Sequence, residues 1–305
     1  MTRARSLGTA HGPALAVDIG GTKLAVGIVE PDGTIACSSV CPTPATDPAA
    51  LWAALAGLIE RASRWASEAC SAAPVVCGVG CGGPMAPGGT TVSPLNIPAW
   101  RSFPLRSQLE DHTGLPVAID NDAKALALAE GWCGAARGVD DYMAMVVSTG
   151  VGGGIVVDGC LLDGGRGNAG HVGHVIVAPG GAVCACGASG CLEAEISGPA
   201  IARRTGTSPE LARNEERVRA GTLLGRGVAS VVNLLDLDVV LVGGSVALGF
   251  GDTFFDAARA ELARCSRLSF SLGARLEPVG LGAEGPLVGA AAVGFASLFD
   301  GGRRG

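Results

Sequence analysis

The chain writes one pattern twice. LAVDIGGTKLAVGIVEPDG, from Leu15, and AMVVSTGVGGGIVVDG, from Ala144, share the order strand, polar residue, glycine loop, returning strand, Asp-Gly turn. A strand that turns back on itself through glycines is an antiparallel hairpin, and two copies about one domain apart predict an internal duplication. The expectation is two similar domains facing each other, each presenting a glycine hairpin to the cleft between them.

Such hairpins suit phosphates. Without Cβ atoms, backbone N–H groups approach anionic oxygens closely, and Thr22 and Thr149 add hydroxyl donors beside Gly20, Gly21, Gly150 and Gly152. Neither loop is a Walker A, which requires G-x-x-x-x-G-K-[ST], and Gly150 to Gly154 does not complete G-x-G-x-x-G before a helix. Lys23 therefore receives no phosphate role. Asp18, a carboxylate ending a strand beside the first loop, is placed to hold Mg²⁺ directly or through water. Its plainer alternative is to cap an Asx-turn.

Strand and helix signals alternate along the chain, which makes it α/β. Ala14–Ile19, Leu24–Val29 and Thr34–Ser39 read as a meander. Asp47 caps a helix with Pro48 at its first position and Leu51, Leu55, Leu58, Ile59, Ala62 and Trp65 as its stripe. Val75–Cys81 is an apolar strand ending in Gly82-Gly83-Pro84. Val117–Asp120 leads to Asn121-Asp122 and an alanine-rich helix, Ala123–Trp132. Met143–Ser148 is followed by a glycine turn over 149–154 and a strand, Ile155–Val157. Ser208 and Pro209 open a helical region expected to reach Leu235, Val239–Val242 is a buried strand, and Pro286 begins an apolar final helix from Leu287 to Phe299.

Between the second hairpin and that helical region lies H-x9-C-x-C-x4-C, formed by His174, Cys184, Cys186 and Cys191. One imidazole and three thiols are the donor set of a closed tetrahedral zinc site, with Gly187 and Gly190 as turns that let the last three converge. Glu193 and His171 flank the run, so a metal here scaffolds polar groups at one rim.

Composition removes several classes. A net charge of −6, with no Lys/Arg cluster beyond Arg303-Arg304, argues against a nucleic-acid surface. Eleven cysteines, an odd number at scattered spacings, fit a reducing cytoplasm better than a disulfide framework. The N-terminal residues carry no apolar leader, and no uninterrupted run of about 20 apolar residues appears, so neither export nor membrane insertion is expected.

The ordered set Asp18-Ile19-Gly20-Gly21-Thr22-Lys23, Asn121-Asp122-Ala123, Ser148 to Gly154, the cysteine run ending Gly190-Cys191-Leu192-Glu193, and Val242-Gly243-Gly244-Ser245 resembles the ROK family of bacterial sugar kinases and sugar-responsive repressors. The resemblance covers nearly the whole chain. It implies an actin-like ATPase (ribonuclease H-like) fold of two similar domains around a cleft. It places the domains at 1–120 plus 287–305 and at 121–286, with hinges near 120 and 286. ATP with Mg²⁺ is expected on the two hairpins and on Gly243 and Gly244, and a hexose, glucose or a close derivative, in the cleft. Asp122 is implied as catalytic base, Asn121, His174 and Glu193 as sugar-hydroxyl ligands, and Gly82, Gly83 and Asn96 as further sugar-side positions. The family tendency is towards dimers, so a homodimer is expected.

Phosphoryl transfer independently asks for such a carboxylate, because the acceptor hydroxyl must lose its proton as it attacks the γ-phosphate. One departure stands out: the family usually reads Glu-x-Gly-His where this chain reads His171-Val172-Gly173-His174. A carboxylate only accepts hydrogen bonds, whereas neutral imidazole donates one and accepts one. The change is either neutral or the mark of an acceptor altered at carbon 1 or 2, an amino sugar such as kanosamine or a C7-cyclitol. The rival classes are a non-catalytic sugar sensor and a repressor, the latter disfavoured because only 13 residues precede Ala14, too few for a helix-turn-helix domain. Polyphosphate is an alternative donor, since glycine loops suit either anion.

Overall fold

A computed structural model describes residues 7, 10–69 and 72–300. The chain divides into two compact units, residues 1–138, 160–169 and 281–305 forming the first and 139–159 and 170–280 the second. The boundaries fall at 138–139 and 280–281 rather than near 120 and 286, because α3 (Asp122–Trp132) packs against α9 (Gly285–Asp300) inside the first unit. The Arg303-Arg304 pair lies outside the described residues.

In the first unit, β1 (Ala14–Ile19), β2 (Lys23–Val29), β3 (Ile35–Pro42), β4 (Val76–Cys81) and β5 (Val117–Asn121) form one sheet in the order β3-β2-β1-β4-β5. The β1–β2 and β2–β3 pairs are antiparallel, and β1–β4 and β4–β5 are parallel. β1 and β4 are buried at every position, as strands covered on both faces must be. α1 (Pro48–Ala69) covers β2 and β3, its first turn capped by Asp47, whose Oδ1 accepts the Ala49 and Ala50 N–H groups. Its buried stripe runs through Leu51, Leu55, Leu58, Ile59, Ala62 and Ala66, with Trp65 only half-buried.

α9 lies on β4, β1 and β5. It sits so close to β4 that a Cβ at Gly78 would fall 2.0 Å from the Ala290 carbonyl. This is the one described helix long and apolar enough to span a membrane, and 61% of that stretch is buried inside the protein. α2 (Leu105–Thr113), which is not among the helices expected from the sequence, precedes β5.

The second unit repeats the plan. β6 (Tyr142–Val147) and β7 (Val151–Val157) form the antiparallel hairpin, β9 (Val239–Gly243) pairs parallel to β6, and β10 (Arg275–Pro278) pairs parallel to β9. The positions of β1, β2, β4 and β5 are thus reoccupied by β6, β7, β9 and β10, as a duplication requires. The short β8 (Cys160–Leu161) falls in the segment counted with the first unit. Two expectations need correction. The glycine turn is shorter than 149–154: β7 already begins at Val151, and Gly152, Gly153 and Gly154 pair with Val146, Met145 and Ala144 inside the ladder. Glycine is used there because Val172 packs against the strand, 3.0 Å from where a Gly153 Cβ would stand. The helical region after Ser208 is likewise two elements, a single 3-10 turn over Pro209–Leu211 and a separate α6 (Asn214–Leu235), because Ala212 and Arg213 are extended. The unit is completed by α4 (Leu192–Ile196), α5 (Gly198–Thr205), α7 (Ser245–Phe250) and α8 (Asp252–Cys265), with α6 and α8 packed side by side.

Candidate active site and metal cluster

The first unit gathers its polar residues at the C-terminal ends of β1, β4 and β5. Asp18 pairs in register with Gly80 of β4, and a Cβ at Gly80 would lie 3.7 Å from the Asp18 carboxylate and 3.8 Å from the Asp122 Cα. The two acidic residues therefore flank one glycine. Asp18 is buried, and desolvation, then the neighbouring Asp122 charge, push its carboxyl up to about 7, with Lys23 pulling the other way. A carboxylate held in that state favours whatever cation reaches it.

Asn121, not Asp122, is the helix cap. Its Oδ1 accepts the Ala123 N–H at 3.0 Å, and its amide NH₂ remains to donate to another partner. Asp122 is the first helical residue and its Oδ1 also accepts from Ala123 N–H, at 2.9 Å. A carboxylate in that position stands at the positive end of the helix. Gly83 lies beside the Asn121 amide, 3.8 Å from a Cβ position to Nδ2, with Gly82 immediately before it. Asn96 packs onto the first hairpin: a Cβ at Gly21 would stand 2.7 Å from the Asn96 Cβ. The hairpin tip is fastened from below by Thr43, whose hydroxyl donates to the Gly20 carbonyl at 2.7 Å and whose N–H donates to that of Thr22 at 3.1 Å. Asp18, Gly20, Gly21, Thr22, Gly82, Gly83, Asn96, Asn121 and Asp122 thus form one neighbourhood.

The second unit holds the remainder. The Ser148-Thr149-Gly150 turn opens on a cavity of about 390 Å³ whose walls include Pro199, Pro209, Val246 and Phe250 and whose polar lining includes Thr149 and Ser245. Ser148 and Ser245 share a hydroxyl hydrogen bond of 2.9 Å across the foot of the turn. Gly243 and Gly244 make the exit from β9, but the lining comes from the residues after them. Gly152 stands on the β7 ladder, away from the hairpin tip. The cavity walls come from separate stretches of the chain; the sequence motifs supply Ser148, Thr149, Ser208, Pro209 and Ser245, but nothing in them marks Pro199 or Phe250 as its walls.

His171 and His174 bracket one 3-10 turn with ring centroids 6.0 Å apart. His174 turns Nδ1 to Cys184 Sγ at 3.6 Å, and Cys186 Sγ lies 3.7 Å from Cys191 Sγ. All four donor atoms fall within 4.8 Å of one another. Four donors about 2.0 to 2.3 Å from a shared tetrahedral centre stand roughly 3.5 to 3.8 Å apart, so the set fits zinc. Burial, then hydrogen bonds from Cys186 and Cys184, push the Cys191 thiol up to about 12, while backbone and thiol hydrogen bonds lower Cys186. Gly187 and Gly190 both have positive φ, as the converging turns require. With Nδ1 directed at the cluster, the Nε2 of His174 is its remaining polar atom. Glu193, on α4, accepts the Val151 N–H through Oε2 at 2.9 Å, which ties the end of the cysteine loop to the second hairpin.

A family model described as the ROK family matches residues 14–295. The N-acetylmannosamine kinase of Citrobacter koseri is 40% identical over 253 residues, covering 78% of this chain and 84% of that protein. Among solved structures, a ROK hexokinase from Thermus thermophilus superposes with a TM-score of 0.80 at 35% identity, over 95% of this chain and all of that one. A ROK glucokinase from Streptomyces griseus, solved with glucose and AMPPNP, gives 0.78 at 30% identity, over 93% of this chain and 99% of its own.

Proposed function

The chain belongs to the ROK family and is an ATP-dependent sugar kinase, and from that premise we propose that it phosphorylates the exocyclic primary hydroxyl of an amino-sugar derivative, N-acetylmannosamine or a near relative. The sequence motifs by themselves favour glucose, with an amino sugar as the alternative. The amino sugar takes precedence because of the 40% identity to an N-acetylmannosamine kinase across 78% of the chain. His171 supports the same reading, since an imidazole supplies both a donor and an acceptor to a substituent at carbon 2, where a carboxylate supplies only acceptors.

In this reading Asp122 takes the proton of the attacking hydroxyl. It stands at the first turn of α3, and the Asn121 NH₂, Gly82, Gly83 and Asn96 contact the acceptor. His174 through Nε2 and Glu193 through its free oxygen read hydroxyl orientation, because an epimer would leave one of these groups unpaired. The hairpin N–H groups with Thr22 and Thr149 receive phosphate oxygens, and the 390 Å³ cavity receives the nucleoside, its prolines and Phe250 against the base. Mg²⁺ arriving with the nucleotide offsets phosphate charge, and Asp18 is the residue that would hold it. Zinc on His174, Cys184, Cys186 and Cys191 contributes rigidity rather than chemistry. A cytoplasmic setting is part of the same proposal. A homodimer is carried over from the family tendency, and no nucleic-acid or membrane partner is proposed.

The deciding experiment is ADP release with glucose, mannose, N-acetylmannosamine, N-acetylglucosamine, kanosamine and a C7-cyclitol as acceptors, with polyphosphate tried as donor. N-acetylmannosamine should give the highest kcat/KM, and a wide preference for glucose would return the assignment to an ordinary glucokinase. Asp122→Ala should abolish turnover. Equal turnover by that variant would remove Asp122 as the base, and no turnover by the parent with any acceptor would leave a sugar sensor as the better reading.

A further inference from the structure

α3 is apolar along most of its length, yet it buries a lysine. Lys124 is 1% exposed, and its Nζ lies 2.9 Å from Asp120 Oδ1, 2.6 Å from Asp163 Oδ1 and 3.5 Å from the Gly167 carbonyl. Burial alone would discharge such a group. The two carboxylates override it and hold the ammonium above its ordinary value, while burial outweighs the lysine at Asp120 and raises that carboxyl.

The two partners differ in kind. Asp120 belongs to the end of β5, two residues before Asp122, and its Oδ1 also accepts the Asn121 N–H at 2.7 Å. Asp163 sits 39 residues beyond Lys124, in the 160–169 segment, with its side chain 74% exposed. That segment is a closed turn. The Ala169 N–H donates to the Asp163 carbonyl at 3.0 Å, the Gly167 N–H to that of Gly164 at 3.2 Å, and the chain then runs through Gly170 into His171. Glycines at 164, 165 and 167 give this turn little stiffness of its own. A core position needs only an apolar side chain to be filled, and a buried ion pair is seldom the more stable choice. The ion pair at Lys124 has a different consequence: it ties an exposed, flexible turn to one particular strand end.

We propose that Lys124 is a positioning residue, a latch that fixes the backbone leading into Asn121-Asp122 and the turn leading into His171 to one buried ammonium. It touches neither nucleotide nor acceptor. Its effect on turnover rests on the kinase reading, whereas its effect on backbone mobility does not.

Asp163→Asn is the informative variant, because it removes one arm of the latch at an exposed carboxylate without stranding a buried charge. Hydrogen exchange measured by mass spectrometry should speed about tenfold in peptides covering 163–171 and also in those covering 119–123. Melting should stay within about 2 °C of the parent. Turnover should fall about tenfold, or the acceptor KM rise by that factor, with the ATP KM unchanged, and Asp163→Glu should recover most of the loss. Lys124→Met should show the same exchange pattern more strongly, with lower stability. Unchanged exchange at 119–123 in Asp163→Asn overturns the latch, as does faster exchange with kcat and acceptor KM both within twofold of the parent. If the parent turns over none of the acceptors, the kinase reading fails by itself, and the exchange result still decides the latch.

Discussion

Glu193 reaches from the end of the cysteine loop to accept the Val151 N–H at 2.9 Å, so a candidate sugar-reading carboxylate is held by the first residue after the phosphate turn. The contact leaves no room on the turn itself: a Cβ at Gly150 would stand 2.9 Å from Glu193 Oε2. Gly150→Ala should therefore push Glu193 out of register. The expected outcome is an acceptor KM raised about 10- to 100-fold with the fold intact, read by steady-state kinetics and circular dichroism. Glu193→Gln keeps the shape but weakens acceptance from the N–H, and should lie between the variant and the parent.

Asp122→Asn preserves size and helix-start geometry while removing the proton acceptor. kcat should drop about 10²- to 10⁴-fold with acceptor KM changed less than threefold. Because the Asp122 charge is one cause of the raised Asp18 carboxyl, the variant should also lower the Asp18 pKa. Carboxyl NMR of the nucleotide-free protein reads that shift, and an unmoved Asp18 would mean the two groups are not coupled.

The hairpins were legible because an apolar strand that stops at glycines and resumes as a second apolar strand has few other ways to fold. The duplicated topology followed from them: β6 and β7 do repeat β1 and β2. The cysteine run was legible because His174 and three thiols at short spacing satisfy a metal better than a core. What stayed hidden depends on partners distant in sequence. Gly152 to Gly154 read as loop, yet they lie in a strand because Val172 packs against it, which no local window contains. Nothing in the alanine-rich stretch singles out Lys124, because its partner Asp163 lies 39 residues away. The break between Leu211 and Asn214 has no proline or glycine to announce it.

Asp18 gives a pH signature with a definite sign. Its folded carboxyl is raised from 3.8 to about 7, so between those values the folded protein binds more protons than the unfolded chain. The contribution of this group to stability is therefore present below about pH 4 and is lost as the pH rises through 7. Asp18→Asn removes the dependence. Without nucleotide or metal, the variant should match the parent near pH 4 and exceed it increasingly up to pH 8, by at most about 4 kcal/mol. Thermal melts at constant ionic strength across that range check it, and a gap that shrinks with rising pH would contradict the burial assigned to Asp18. The same variant should lose Mg²⁺-dependent ATP turnover.

The metal cluster predicts a separable loss. Elemental analysis should find roughly one zinc per chain, because one imidazole and three thiols gathered within 4.8 Å supply all four ligands of a closed site. The loop has a second anchor: buried Glu195 accepts the Ala182 N–H at 2.8 Å and pairs with Arg219 of α6. Chelation should therefore loosen the 178–191 segment without unfolding the second unit. The melting temperature should fall by about 5 to 10 °C, the acceptor KM should rise as His174 loses its orientation, and the ATP KM should hold, since the nucleoside cavity draws none of its walls from this loop. Cys191→Ser should reproduce the chelated state, whereas Glu195→Gln in the zinc-loaded enzyme should leave metal content unchanged and lower only stability. Full activity of a zinc-free preparation would separate the cluster from acceptor recognition altogether.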